Sequence, residues 1–262
     1  MTAISGHLNC LCQMSNVSQN MSNVFLSVII PAYNEEKRIS KTLLAVDEYL
    51  AKQNYDYKIV VVDDGSKDNT VSVVKNLAKI VKNLRLVENK ENKGKGGVTA
   101  QGMLLAKGQY RLFMDADNAT AVDHFEKMLP HFRAGFDVVI GSRAVKGAKI
   151  AVYQPFYKEL FGKTGNLVIQ AAAVPGIWDT QCGFKAFTAR AAEEIFKQLT
   201  IARWGFDVEV LALARFLDLK IKEIPVYWVN DPMSHVTLKA YIRVFFDTFK
   251  VRWNLLVGKY KK

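Results

Sequence analysis

Tyr110-Arg111-Leu112-Phe113-Met114-Asp115-Ala116-Asp117 is the stretch that decides the fold of this 262-residue chain. Its first five residues form a short, mostly apolar run of the kind that makes a buried strand. Asp115 and Asp117 then place two carboxylates one residue apart at the carboxyl tip. Such groups are costly to desolvate unless something positive meets them. Carboxylate oxygens are also the preferred ligands of hard cations such as Mg²⁺ or Mn²⁺. Taken alone, the stretch is equally compatible with a solvated strand end that carries two acidic residues.

Two earlier runs end in the same way. Tyr57-Lys58-Ile59-Val60-Val61-Val62 leads into Asp63-Asp64-Gly65-Ser66, and Leu26-Ser27-Val28-Ile29-Ile30 leads into Pro31-Ala32-Tyr33-Asn34-Glu35-Glu36. Helical patterns follow both. Residues 35–52 carry Ile39, Leu43, Leu44, Val46 and Leu50 at helical spacing, and the segment after Thr70 turns Val71, Val74, Leu77, Ala78 and Val81 inward. Strands alternating with helices predict an α/β fold with a mostly parallel central sheet covered by helices on both faces. Ligands of such open sheets bind outside the carboxyl ends of the strands. The three acidic tips should therefore gather at one crevice suited to a metal-bound diphosphate.

Further along, residues 84–87 read as a short strand, 98–106 and 123–132 as helices, and Phe136-Asp137-Val138-Val139-Ile140-Gly141-Ser142-Arg143 as a strand with its exit loop. From about residue 144 the pattern changes. Residues 155–174 form an amphipathic helix, and Asp179-Thr180-Gln181-Cys182-Gly183-Phe184-Lys185 a polar loop entering a short strand. A helix opens at Trp204, and residues 219–229 read as one strand. The expected organisation is a lead-in over 1–22, a catalytic-type α/β domain over 23–230, and a basic amphipathic helical segment over 231–262. The lead-in lacks the basic start and long apolar centre of a signal peptide, and no run reaches the roughly 20 apolar residues of a membrane span.

Asn92-Lys93-Gly94-Lys95-Gly96-Gly97 invites comparison with phosphate-cradling loops. It lacks the spacing of a nucleotide triphosphatase loop and of the dinucleotide fingerprint, which disfavours an oxidoreductase. The functional reading gives Lys93 and Lys95 positive charge beside a ligand that Gly94 lets approach closely; the plainer one is a flexible loop at a helix start.

Half of the residues are hydrophobic and 23% are charged, so the chain can bury a substantial core and is not globally disordered. Thirty-six Lys and Arg against 25 Asp and Glu give a net charge of +11, which favours anionic partners. No nucleic-acid motif accompanies that charge, so nucleic acid is not expected among them. Cys10, Cys12 and Cys182 make neither a zinc nor a disulfide framework, consistent with a reducing cytosol. Residues 236–262 mix Lys239, Arg243, Lys250, Arg252, Lys259, Lys261 and Lys262 with Tyr241, Phe245, Phe246, Phe249, Trp253, Leu255 and Leu256. That blend at helical spacing suits an interfacial helix on an anionic bilayer, with an ordinary packed terminal helix as the alternative.

Ser27-Val28-Ile29-Ile30-Pro31-Ala32-Tyr33-Asn34-Glu35-Glu36, Val61-Val62-Asp63-Asp64-Gly65-Ser66, Asn92-Lys93-Gly94-Lys95-Gly96, Asp115-Ala116-Asp117 and Asp179-Thr180-Gln181-Cys182-Gly183-Phe184-Lys185 occur in that order. Together they give a chain that resembles the inverting glycosyltransferases of family 2, which have the GT-A fold, over roughly residues 24–258. Within that family it looks most like the polyprenyl-phosphate sugar synthases, of the glucosyl or the mannosyl kind. The resemblance implies a nucleotide-sugar donor, a polyprenyl or dolichyl phosphate acceptor, Mg²⁺ or Mn²⁺, and a peripheral place on the cytoplasmic face of a membrane.

It also implies roles by position. Pro31, Ala32, Tyr33, Glu35, Val62, Asp63, Asp64, Lys93 and Gly94 match the donor-nucleotide segments. Asp115, Ala116 and Asp117 match the segment at the ribose and diphosphate, with Asp115 and Asp117 the metal-binding pair. Arg143, Asp179 and Gln181, with Asp117, match the reacting centre. Arg143, Arg203, Ser234 and His235 are expected near the acceptor phosphate, with Lys239 a substitute for His235, and Trp204 and Asp207 match the acceptor side. A polar residue often follows the acidic pair in the mannosyl enzymes; Ala119 stands there, which resembles the glucosyl branch and favours UDP-glucose over GDP-mannose. An acceptor phosphate is already anionic and needs no base, whereas a sugar hydroxyl, the alternative acceptor in polysaccharide synthesis, would need Asp179 as one.

Overall fold

The computed structural model describes residues 24–151, 156–229 and 238–262. The expected lead-in, and Ser234 and His235, lie outside these residues. The chain runs through β1 (Leu26–Ala32), α1 (Ile39–Leu50), β2 (Tyr57–Asp63), α2 (Thr70–Leu77), β3 (Leu84–Glu88), α3 (Lys95–Leu105), β4 (Tyr110–Met114), α4 (His124–Arg133) and β5 (Val138–Ser142). It continues through β6 (Lys149–Ile150), α5 (Phe156–Ala172), β7 (Phe184–Thr188), α6 (Ala189–Phe196), α7 (Phe206–Phe216), β8 (Ile221–Pro225), β9 (Tyr227–Trp228) and α8 (Leu238–Leu256).

Seven strands form one sheet in the order β3-β2-β1-β4-β7-β5-β8, in which β7 alone is antiparallel to its neighbours. All seven residues of β1 are buried because helices cover both faces. The strand's period of two sends Val28 and Ile30 into the core layer beneath α1, α2 and α4, and Ile29 into the layer beneath α3, α6 and α7. Arg111 is tolerated in β4 because its guanidinium donates to the Met103 carbonyl and to Glu193 on α6, both at 2.8 Å.

After β3 the chain crosses back to lay β4 on the other side of β1, so the strand order reverses beside the expected crevice, the usual place for a ligand. Helix α3 fits tightly there. A Cβ on Gly102 would come within 2.5 Å of Ile29 Cγ2 and 2.9 Å of Val62 Cγ2. That close packing brings the start of α3 to the strand tips.

The strand expected over residues 219–229 is broken. Pro225 ends β8, having no N–H to continue the ladder, and Tyr227–Trp228 leaves the main sheet to pair in parallel with β6. Helix α8 buries Ala240, Thr248, Val251 and Asn254 and packs on α5 and α7. Its other face exposes Ile242, Phe245, Phe246, Phe249, Trp253 and Leu256. No helix among the described residues is long and apolar enough to cross a membrane.

Candidate active site

The loops after β1 and β2 are laced together. Asn34 N–H donates to Ser66 Oγ (2.9 Å), Lys67 N–H to Asn34 Oδ1 (2.8 Å) and Glu35 N–H to Thr70 Oγ1 (2.7 Å), while Glu35 pairs with Arg38. Tyr33 stands half-exposed above them, and Pro31 and Ala32 are buried within the strand. Asp63 Oδ2 accepts the Gly65 and Ser66 N–H groups at 3.0 and 3.1 Å. Asp63 Oδ1 is buried without a hydrogen-bond partner among the described residues. Asp64 accepts from Lys93 N–H at 2.6 Å and Gly94 N–H at 3.1 Å. Burial raises its pKa, and those two N–H groups partly offset the rise. Gly94 is required here: its φ is +84°, and a Cβ would meet the Ala202 carbonyl at 2.4 Å. The structure corrects one expectation in this region. Val62 is fully buried against α3, so its side chain is core and only its backbone lies near the site.

At the β4 tip, Asp115 N–H donates to the Gly183 carbonyl (3.1 Å), and a Cβ on Gly183 would fall 1.9 Å from Asp115 Oδ2. The missing side chain makes room for this carboxylate. Lys95 Nζ lies 2.6 Å from Asp115 Oδ1 and sits against the rings of Phe113 (5.5 Å) and Trp204 (5.1 Å). Burial opposes its charge, but the attraction of Asp115, Asp207 and Asp117 together outweighs this and raises the Lys95 pKa. Lys93, expected to share the task, instead points its ammonium towards Gln101 (3.4 Å). Asp117 Oδ1 receives the Ala119 N–H (3.0 Å). Burial, then repulsion from Asp115, pushes its carboxyl above the ordinary range. Ala116 between them is buried, its carbonyl held by Thr42 Oγ1 at 2.7 Å.

The opposite wall is built differently. Asp179 accepts three bonds from Arg143: from the backbone N–H (2.8 Å), Nε (2.7 Å) and Nη2 (2.9 Å). Burial alone would raise the Asp179 pKa, but Arg143 more than reverses it and leaves the carboxyl below its usual value. Glu223 on β8 fixes this segment by accepting the Trp178 and Asp179 N–H groups at 2.9 and 3.0 Å. Arg143 also lies over the Trp228 ring at 5.2 Å. Gln181 Nε2 is buried without a hydrogen-bond partner among the described residues. The buried Cys182 thiol is pushed up to about 12 by loss of solvent and is inert.

Three residues expected on the acceptor side have protein partners of their own. Asp207 is buried and spent on Lys185, whose Nζ lies 2.5 Å away and also donates to the Cys182 carbonyl at 2.6 Å. Trp204 lies against Lys95. Arg203 reaches Asn92 at 3.5 Å and feels Asp64, which groups it with the donor-side loops. Lys185, Gly183 and Glu223 are further residues of the site that sequence reasoning does not single out. The first two stand in the Asp179–Lys185 motif, but what they do depends on partners distant in sequence. Glu223 had no local signal beyond a charge inside a strand.

A divalent cation fits this donor set. Asp115 and Asp117 supply two carboxylates, the second raised by burial and by the charge of the first, and no cluster of three or more metal-binding side chains exists among the described residues. A cation held by these two residues would take its remaining ligands from substrate phosphates and water, the usual arrangement for Mg²⁺.

Comparison with known proteins gives the family and the fold. The family model described as glycosyl transferase family 2 matches residues 27–196. A dolichyl-phosphate beta-glucosyltransferase of Trichomonas vaginalis is 37% identical over 240 residues, covering 87% of this chain and 73% of the relative. The one from Dictyostelium discoideum is 35% identical, covering 92% and 78%. Among solved structures, glucosyl-3-phosphoglycerate synthase from Mycobacterium tuberculosis in complex with UDP superposes with a TM-score of 0.64 at 17% identity, over 88% of this chain and 80% of that one. At that identity the likeness speaks for the fold, which is GT-A.

Proposed function

The chain belongs to glycosyl transferase family 2, and from that premise we propose that it moves glucose from UDP-glucose to dolichyl phosphate with inversion, giving a β-linked lipid phosphate sugar. The names of its relatives support the reaction. The observation that carries the acceptor class is the threefold bonding of Asp179 to Arg143. A hydroxyl acceptor would need that carboxylate as a base, and here it is buried, ion-paired and held as a weak one. A phosphate dianion needs no base, since its second pKa is about 6. It needs a cation that relieves repulsion from the donor diphosphate. Asp179 takes Nε and Nη2 of Arg143, so the fork is oriented with its Nη1 edge directed away from that carboxylate, where a phosphate oxygen could be met.

On the donor side, Asp63 Oδ1 is a buried acceptor that suits an imide N–H such as that of uracil. Asp115 and Asp117 would hold Mg²⁺ or Mn²⁺, whose chemistry is to neutralise charge growing on the departing diphosphate. The exposed aromatic face of α8, flanked by Lys239, Arg243, Lys250 and Arg252, supports peripheral binding to an anionic membrane surface on its cytoplasmic face. There the lipid acceptor would reach Arg143. Glucose transfer from UDP-glucose, offered dolichyl phosphate and sugar-hydroxyl acceptors side by side, tests the reading. Product on dolichyl phosphate alone is expected, and product only on the hydroxyl acceptors would overturn it.

A further inference from the structure

Asp115 already has a cation. Its carboxylate is fixed by its own backbone bond to Gly183 and by the space that glycine leaves, and Lys95 Nζ sits 2.6 Å from Oδ1. The lysine is itself well seated, being mostly buried between the faces of Phe113 and Trp204. It is the first residue of α3, in a loop clamped by Asp64 through Lys93 and Gly94 N–H and by the Gly97 N–H bond to the Ala202 carbonyl at 3.0 Å. Lys95 thus bridges the loop held by Asp64 and the carboxylate of Asp115.

We propose that Lys95 is a resident counter-ion of Asp115 that makes divalent-metal binding depend on the nucleotide diphosphate. A metal approaching the free protein must displace an ammonium from one of only two carboxylates, and the displaced charge stays nearby with nothing new to neutralise. When a diphosphate is present, Lys95 has a second anion within a short swing of its flexible stem. The carboxylate then passes to the metal without leaving two cations opposed. Coupling of this kind is reciprocal: the factor by which UDP tightens the metal equals the factor by which the metal tightens UDP. The consequence is a site that stays closed to free cations and fills when the donor arrives. The inference rests on the metal reading given above.

The test is calorimetric titration of Mn²⁺ into the full chain, with and without saturating UDP, for wild type, Lys95→Met and Lys95→Arg. Lys79→Met, which removes one exposed charge at the end of α2, is the control for net charge, and melting curves confirm that each variant is folded. Wild type is expected to bind Mn²⁺ at least tenfold more tightly with UDP than without. Lys95→Met should tighten Mn²⁺ binding without UDP by about tenfold, the scale of ordinary coupling energies, and should shrink the UDP effect. Lys95→Arg should restore the wild-type pattern, and Lys79→Met should change nothing. Unchanged or weaker binding of Mn²⁺ alone to folded Lys95→Met would overturn the counter-ion and leave the metal site standing. A wild type that binds no Mn²⁺ even with UDP would overturn the metal reading and this inference together.

Discussion

Asp117 and Asp179 are the same side chain in two opposite electrical settings. Asp117 has one backbone N–H and a second carboxylate beside it, and its carboxyl is pushed up by burial and by Asp115. Asp179 has three bonds from Arg143, and its carboxyl is pulled down although burial opposes this. One wall of the crevice therefore presents a buried carboxylate repelled by its neighbour, and the other presents a guanidinium whose own counter-charge sits behind it. The difference teaches which reactant each wall can take. On the proposed reading, a metal-bound diphosphate would complete the first and an anionic acceptor the second. A single enzyme that joins two phosphate-bearing reactants needs both, because each anion must be met before they can approach.

The comparison breaks most visibly at Arg143. Arg143→Met should lower kcat/KM for dolichyl phosphate by about 10²-fold or more, the usual cost of one preorganised charge donor. UDP-glucose binding should change little, and steady-state kinetics varied in each substrate would separate the two. Equal losses for both substrates would place Arg143 on the donor wall instead.

A smaller effect is expected from Asp179→Asn. Removing one partner of this largely buried pair should cost about 2–3 kcal/mol of stability, short of the full cost for a deeply buried pair because Arg143 keeps some solvent. The sign of its pH dependence follows from the depressed pKa. The pair's stabilisation is complete above the unfolded value of about 3.9 and is lost as pH falls through the lower folded value. The stability gap between wild type and variant, measured by denaturant unfolding, should hold level from pH 8 to 5 and close only below about pH 4. A gap that closes between pH 7 and 5 would mean that the carboxyl titrates there, as a working base does.

Much of the donor wall was legible in the sequence because it is local. Strands β1, β2 and β4 are continuous apolar runs, and their polar ends follow directly, so Asp63, Asp64, Asp115 and Asp117 could be placed at one crevice before any coordinates. The reversed direction of β7 could not. Five residues between a polar loop and α6 carry no mark of which way they cross a sheet, and α6 itself is only eight residues long. Similarly, Lys93 and Lys95 flank one glycine and look equivalent in sequence. Only the turn of α3 decides that Lys95 faces Asp115 while Lys93 faces Gln101. Val62 matches a nucleoside-contacting segment, yet strand periodicity turns it into the core beneath Gly102. The acceptor wall was the least legible, since the pairings of Asp179 with Arg143, Asp207 with Lys185 and Glu223 with the backbone of Trp178 all join distant segments. The C-terminal helix packs one face on the domain, as an ordinary terminal helix does, and leaves an aromatic face exposed.

The most direct test is a thermal-shift measurement with UDP-glucose, with and without Mn²⁺, on wild type and Asp117→Ala. Wild type should be stabilised by UDP-glucose far more when Mn²⁺ is present, and Asp117→Ala should lose that metal-dependent increment while remaining folded. Equal shifts with and without metal in wild type would contradict the account.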